Sequence, residues 1–186
     1  MKSNEKCVYV VLTQTGTNVS KLIQRFTKAP FNHSSIASDD ELSEMFSFCR
    51  LYKHSPLPAG FFHEKVDGGV FEMFKNIPCQ IYAIPATDEQ YDKYREVINH
   101  FKNSSKMYTY NLIGLFAMAF GKTIKRKNAF VCSQFVAHVL SESGIVSFNK
   151  EPHLVTPEDL RHLPNASLIY SGDIKQYTYN KVLAGA

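Results

Sequence analysis

One segment constrains the fold of this chain more than any other. Residues 128–140 read Asn-Ala-Phe-Val-Cys-Ser-Gln-Phe-Val-Ala-His-Val-Leu, and their apolar side chains leave a helix with almost no polar face. Such a helix has to be buried against other elements of the protein. Asn128 is a plausible N-cap, which predicts that Cys132 lies in the first turn. Unpaired N–H groups and the helix dipole favour a thiolate there, and the thiolate is the nucleophilic form of cysteine.

The remaining patterns predict a sheet and further helices around this segment. The predicted strands are Cys7–Gln14, a hairpin of Asn32–Ser38 and Leu42–Leu51 that turns at Asp39-Asp40, then Val70–Phe74, Cys79–Ile84 and a short Leu168–Tyr170. The predicted helices are one containing Val19 and Phe26, then Thr87–Phe101, Tyr110–Phe120 and a short helix beginning at Thr156. Together they indicate an α+β fold, with a small antiparallel sheet packed on a helical half.

Length and composition suit a single domain that spans residues 1–186. A chain of 186 residues that is 44% hydrophobic can bury a sizeable core. Residues 52–69 are rich in proline and glycine, and we expect them to form an irregular loop excursion within the domain. Long loops of this kind often cover a functional site.

Several classes of function are disfavoured by the sequence. The net charge of +4 is too small to indicate a nucleic-acid-binding protein. The four cysteines lie far apart without a Cys-x-x-Cys pair, and the His63-Glu64 pair lacks a third ligand, so we expect no metal and no other cofactor. With neither a signal peptide nor an apolar run of membrane-spanning length, the expected location is the cytoplasm.

A cysteine nucleophile requires a base, and His33 is the best candidate among the seven histidines. His138 follows Cys132 by six residues on the same predicted helix, about 240° around its axis, and cannot face the thiol. His33 instead opens the first arm of the predicted hairpin, where a sheet can hold it rigidly against the start of a helix. The alternative is a histidine with a purely structural role.

These residues carry a resemblance to a known family. A histidine opening a hairpin, a polar residue on its second arm, and a later Tyr-Asn followed by Cys-Ser-Gln-Phe-Val resemble the circularly permuted NlpC-type cysteine hydrolases. In this papain-like group the histidine strand precedes the cysteine helix. The chain is most similar to the YiiX/YaeF-like branch, and more distantly to the lecithin:retinol acyltransferase relatives, over roughly Val8 to Gly144.

The resemblance implies a role for four residues. Cys132 would be the nucleophile, His33 the general base, and Glu44 the third member that orients the imidazole. Because hairpin register can slip, Ser43 or Ser47 remains an alternative to Glu44, which would then be an ordinary exposed strand residue. Tyr110 matches a substrate-pocket position, unless it is an ordinary core tyrosine. The Cys132 backbone N–H, at a helix start, is a natural oxyanion donor.

The function implied is a cysteine hydrolase that cleaves an amide bond through a thioester acyl-enzyme, acting on a peptide, an amino-acid amide or an N-acyl substrate. One alternative is a thiol acyltransferase or lipid hydrolase at a membrane surface, and another is a non-catalytic module that binds a small ligand. The membrane reading comes from four basic residues that follow the apolar segment Leu112–Phe120, namely Lys122, Lys125, Arg126 and Lys127, although a run of this kind also suits a solvated loop.

Overall fold

The structure is a computed structural model, and it describes residues 6–16, 29–50, 59–111, 114, 126 and 128–185. Six antiparallel strands form one sheet, in the order β4-β3-β2-β1-β5-β8. Their bounds are β1 Lys6–Thr13, β2 His33–Ala37, β3 Met45–Arg50, β4 Ala59–Glu64, β5 Pro78–Ala86 and β8 Ser167–Asp173. Two short strands, β6 (Thr109–Tyr110) and β7 (Ala129–Phe130), pair in parallel as a second sheet.

Five α-helices complete the described part of the chain. They are α1 Gly69–Glu72, α2 Asp88–Asn103, α3 Cys132–Glu142, α4 Pro157–Leu160 and α5 Ile174–Gly185, with 3₁₀ turns at Ser105–Met107 and Pro152–Leu154. The start of α2 follows directly from its sequence, because Thr87 and Gln90 cap each other in a reciprocal pair of hydrogen bonds. No helix among these described residues is long and apolar enough to cross a bilayer.

Both faces of the sheet are covered, which explains why β1 is buried along most of its length. On one face Phe46 and Phe48 pack against α2 and α3, where Phe101 and Phe135 lie fully buried. On the other face Met45 and its neighbours are covered by α1 and α5 in a second, smaller core. Alternation along each strand therefore decides which of the two cores a side chain enters.

The predicted α+β class and the antiparallel sheet are confirmed, together with β1, the hairpin of β2 and β3, and β5. The strand predicted for Val70–Phe74 is wrong, because these residues begin the short helix α1, with Gly69 at a φ of 59°. A short apolar run does not distinguish a strand from a buried helical turn by periodicity alone.

The loop excursion predicted for 52–69 is wrong over Ala59–Glu64, which form the edge strand β4. Residues 51–58 lie outside the described residues. The same holds for the predicted helix containing Val19 and Phe26, and for most of the helix predicted at Tyr110–Phe120, although Tyr110 itself belongs to β6.

Candidate active site

The helix that carries Cys132 begins at Cys132 itself. Its N-cap is Val131, so the prediction of Asn128 as the cap is wrong. Asn128 instead has a φ of 56° in the turn before β7, a left-handed conformation that asparagine tolerates better than most residues. The first helical hydrogen bond runs from Phe135 N to the Val131 carbonyl at 3.0 Å, which leaves the Cys132 N–H outside the helical ladder.

Gln134 replaces the missing cap. Its Oε1 accepts a hydrogen bond from Val131 N at 3.1 Å, and its Nε2 donates to the His153 carbonyl at 2.8 Å. The next side chain toward the N-terminus, Ser133, donates to the Val155 carbonyl at 2.7 Å. These bonds tie the first turn of α3 to the segment around residue 154 and hold the Cys132 thiol in one position.

The structure brings together Cys132 and His33, the two residues that the sequence predicts to meet. His33 is the first residue of β2 and is 9% exposed, while Cys132 is 5% exposed. The two side chains are close enough that each shifts the pKa of the other, and Ser34, the next residue of β2, also lowers the pKa of the Cys132 thiol. The cysteine therefore lies at the junction between the start of β2 and the start of α3.

A carboxylate lies on the other side of the imidazole, and it belongs to Glu64. The His33 Nε2 atom lies 3.0 Å from Glu64 Oε1 and 3.3 Å from Oε2. Because Nε2 faces the carboxylate, Nδ1 is the ring nitrogen left to serve the thiol. The imidazole thus has a carboxylate at one nitrogen and a neighbouring thiol, a combination that can activate a nucleophile and orient its base.

Strand alternation explains why Glu64 reaches His33. Ile36 pairs with Phe46 across β2 and β3, and both side chains enter the larger core. His33 has the opposite parity from Ile36, so its ring lies on the other face, where it contacts the Phe71 ring at 6.3 Å between centroids. Glu64 shares that face, because it pairs with Met45 of the smaller core.

The structure does not bring Glu44 to His33. Glu44 lies just before β3 with the parity of Phe46, on the face that α2 covers. Its carboxylate bonds to Arg95 of α2, and Lys102 of the same helix donates to Oε1 at 3.2 Å. The position proposed for Glu44 is therefore occupied by Glu64, and Glu44 holds α2 to the hairpin instead.

The two serines kept as alternatives to Glu44 have different surroundings. Ser43 lies in the hairpin turn, where its N and Oγ both bond to the Asp39 carboxylate, at 2.8 and 3.0 Å. Ser47 is fully buried on β3 and belongs to the same sheet face as Glu64, whose pKa it helps to lower. Neither serine takes the place of Glu64 beside the imidazole.

Cys132, His33 and Glu64 stabilise one another's charged forms. Burial opposes the charged form of each residue, but the neighbouring charges outweigh it. The Glu64 carboxylate and Cys132 raise the pKa of His33 to about 10. Protonated His33 in turn lowers the pKa of both Cys132 and Glu64. All three shifts favour the charged forms, which are a thiolate, an imidazolium and a carboxylate.

A second cysteine lies beside the same carboxylate. Burial and the Glu64 charge raise the pKa of the Cys49 thiol well above its usual value. Cys49 therefore stays protonated, whereas the pKa of the Cys132 thiol is shifted in the opposite direction. Cys49, Glu64 and Phe71 also line a cavity of about 190 Å³ at the β4 edge of the sheet.

Two further predicted features are Tyr110 and the basic residues that follow the apolar segment Leu112–Phe120. Tyr110 is half-buried in β6, opposite Phe130 of β7, so its backbone runs beside the segment that leads into Cys132. Arg126 is exposed and lines a cavity of about 330 Å³ together with Gln134 and His138. The rest of the predicted membrane-surface patch, Lys122, Lys125 and Lys127, lies outside the described residues.

Glu64 is the residue that sequence reasoning missed. The segment Gly60-Phe-Phe-His-Glu64 was weighed only as a metal site, and its neighbouring prolines and glycines favoured a loop. The signal present was the aromatic pair Phe61-Phe62, because aromatic residues are enriched in strands. Within the described ranges, no group of three or more His, Cys, Asp and Glu residues is arranged to hold a metal ion.

Comparison of the chain with models of known protein families finds no match, and comparison with curated proteins finds none either.

Proposed function

We propose that this protein is a cysteine hydrolase that cleaves an amide bond through a thioester acyl-enzyme. The observation that carries the proposal is the buried His33 ring, which has the Glu64 carboxylate 3.0 Å from Nε2 and lies close enough to Cys132 for the two to shift each other's pKa. A thiol and a carboxylate that both neighbour one imidazole are the arrangement that nucleophilic catalysis by cysteine requires.

In the proposed reaction the Cys132 thiolate attacks the carbonyl carbon of the substrate. The negative charge passes to the carbonyl oxygen, where the Cys132 N–H at the start of α3 can donate a hydrogen bond. The carbon–nitrogen bond then breaks, and the His33 imidazolium gives its proton to the leaving amine. The products of this first half are the free amine and a thioester on Cys132.

The second half of the reaction returns the enzyme to its starting state. Neutral His33 takes a proton from water as the water oxygen attacks the thioester carbon. The carbon–sulfur bond breaks, which releases the carboxylic acid and restores the thiolate beside an imidazolium. Throughout both halves, Glu64 fixes the orientation of the ring through Nε2 and stabilises its positive charge.

The proposed class is the circularly permuted NlpC-type, papain-like group, with a peptide, an amino-acid amide or an N-acyl compound as substrate. The order of the elements supports this assignment, since the strand that begins with His33 precedes the helix that begins with Cys132. The position of Tyr110 beside the entry to α3 is compatible with a role at the edge of the substrate pocket.

Alkylation of the four cysteines tests the proposal without a known substrate. Iodoacetamide is added across pH 4–9, and each cysteine is followed by peptide mass spectrometry. We expect Cys132 to react at least about tenfold faster than Cys7, Cys49 and Cys79 at pH 6, because its pKa is lowered whereas burial raises the pKa of Cys49 and Cys79. His33→Ala should remove the difference. Equal rates for all four cysteines in the unmodified protein would leave only a ligand-binding module.

A second experiment identifies the reaction. The protein is incubated with a panel of peptide, aminoacyl and N-acyl amides, and a thioester on Cys132 is detected by intact mass and by its cleavage with hydroxylamine. A hydrolase transfers the acyl group to water. Faster transfer to an added alcohol or amine would instead identify an acyltransferase that uses the same three residues.

A further inference from the structure

Ser35 lies at the junction of the proposed catalytic residues without belonging to the thiol–imidazole–carboxylate line. It follows His33 by two positions on β2, so both side chains project from the same face of the sheet. Its side chain is fully buried. The Ser35 hydroxyl donates to Glu64 Oε2 and lies 3.3 Å from His33 Nε2.

A buried carboxylate needs donors for both of its oxygens. The Glu64 side chain is only 10% exposed, so water does not satisfy it fully. The shorter contact from His33 is with Oε1, at 3.0 Å, which leaves Oε2 to the Ser35 hydroxyl. Two donors from one strand therefore fix the plane of the carboxylate, where a single donor would allow it to rotate.

We propose that Ser35 is a positioning residue, which holds the Glu64 carboxylate in the orientation that His33 needs to serve Cys132. The inference rests on the proposed hydrolase function and deepens it. Ser35 touches neither substrate nor reacting atoms in this role. It acts through Glu64, and its removal weakens the support of the imidazolium rather than removing a chemical group from the reaction.

The charged and titratable neighbours of this network come from four elements. His33 belongs to β2, Glu64 ends β4, Cys49 faces the carboxylate from β3, and Cys132 approaches from α3. The short helix α1 contributes the Phe71 ring, which carries no charge. Lys65, which is exposed, lines the small cavity beside Glu64. Ser35 donates from the same strand as His33, so it and the imidazole hold the carboxylate as one rigid unit.

The test follows the pH dependence of Cys132 alkylation by iodoacetamide. In Ser35→Ala the carboxylate loses a donor, the imidazolium is less well supported, and the thiolate loses part of its counter-charge. We expect the acidic inflection of the alkylation rate to move upward by roughly one pH unit. Ser38→Ala is the matched control, because Ser38 also has a buried hydroxyl, bonded to Tyr94 at 3.0 Å, away from the site.

A pair of larger residues covers the case in which Ser35→Ala does not fold. Threonine and valine have nearly the same shape, and only threonine keeps the hydroxyl. Ser35→Thr should therefore retain the inflection of the unmodified protein more closely than Ser35→Val. Equal inflections in the two variants, or an unshifted inflection in a folded Ser35→Ala, would overturn the positioning role while fast alkylation of unmodified Cys132 still supports the proposed function. Slow alkylation of unmodified Cys132 would overturn both.

Discussion

A thiolate in a protein interior is stable only if a cation stands beside it, and a buried imidazolium in turn needs an anion. Cys132, His33 and Glu64 lie close enough to meet both requirements, because His33 lowers the pKa of the thiol and of the carboxyl, and both of them raise the pKa of His33. Glu64 is therefore as necessary to the charge state of the site as the two residues that the sequence predicts. Glu44, which bonds to Arg95 and Lys102, balances charge at a different place on the hairpin.

The two glutamates offer a matched pair of variants. Glu64→Gln removes the charge that supports protonated His33, so the pKa of His33 should fall and that of Cys132 should rise. We expect the rate of Cys132 alkylation at pH 6 to drop at least about tenfold. Glu44→Gln should leave the pH–rate profile unchanged. A shift in Glu44→Gln, with none in Glu64→Gln, would show that the third residue is assigned incorrectly.

The two cysteines near Glu64 should behave differently when each is replaced. Cys132→Ala should abolish turnover and change the free energy of unfolding by about 1 kcal/mol or less, because His33 keeps its contact with Glu64. Cys49→Ala should retain the fast alkylation of Cys132, since its own thiol stays protonated. Turnover and urea unfolding measure both effects. Residual turnover in Cys132→Ala would exclude Cys132 as the nucleophile.

At the scale of elements, the start of α3 is the feature that positions the nucleophile. The sequence predicts a buried helix and places Cys132 in its first turn, because periodicity and apolar content are local properties. The exact first residue was not predictable, since Val131 is a poor cap on its own. The Gln134 side chain fixes the helix start instead, because it accepts a hydrogen bond from Val131 N and donates one to the carbonyl of His153, which belongs to a later segment.

Removal of the Gln134 side chain tests this account of the helix start. Gln134→Ala leaves the Val131 N–H and the His153 carbonyl without this partner, and we expect a loss of about 1–2 kcal/mol in unfolding free energy. Ser141→Ala, on the exposed face near the other end of α3, should change stability far less. Urea unfolding followed by circular dichroism measures both. A loss equal to that of Ser141→Ala would mean that Gln134 does not cap the helix.

The strand β4 shows where local reasoning about elements stops. Its six residues follow a segment with two prolines and include Gly60, and both features favour a loop when the sequence is read alone. In the structure β4 pairs along its whole length with β3. This pairing stabilises a strand that the local sequence does not predict. Tertiary pairing overrides weak strand propensity here.

At the scale of the whole molecule, the sheet separates two hydrophobic cores, and the candidate site lies at the start of β2. His33 starts β2, and α3 lies against the same strand and the neighbouring β3. A sheet that is covered on both faces holds a strand end rigidly, because neither side can relax toward solvent. This rigidity lets a histidine, a cysteine 99 positions later (132 − 33) and a glutamate from a third element keep one geometry.

The site also makes the stability of the whole fold depend on pH. Glu64 has a lowered pKa in the folded state, so its contribution is present above about pH 4.5 and is lost as the pH falls through the folded value. His33 has a pKa raised to about 10, so its contribution is present below 6.5 and is lost as the pH rises toward 10. Stability from the pair is therefore greatest between about pH 4.5 and 6.5 and declines gradually above that range.

Comparison with Glu64→Gln isolates this effect. The unmodified protein should exceed the variant in unfolding free energy by about 3 kcal/mol at pH 7, because the variant leaves His33 without its buried partner. The difference should shrink both at pH 3.5 and at pH 9.5. Urea titrations at the three pH values provide the measurement, and a difference that is constant with pH would show that Glu64 is not ionised in the folded state.

The local sequence was sufficient for the α+β class and for the main strands, because alternation and helical periodicity are properties of neighbouring residues. The pairing of Cys132 with His33 was expected from the family resemblance and not from local sequence. The choice of Glu64 over Glu44 was decided only by the tertiary structure. Both are acidic residues within reach of the same hairpin, and nothing local distinguishes them. The register between β3 and β4 places Glu64 on the face of His33, and the packing of α2 draws Glu44 to the opposite face.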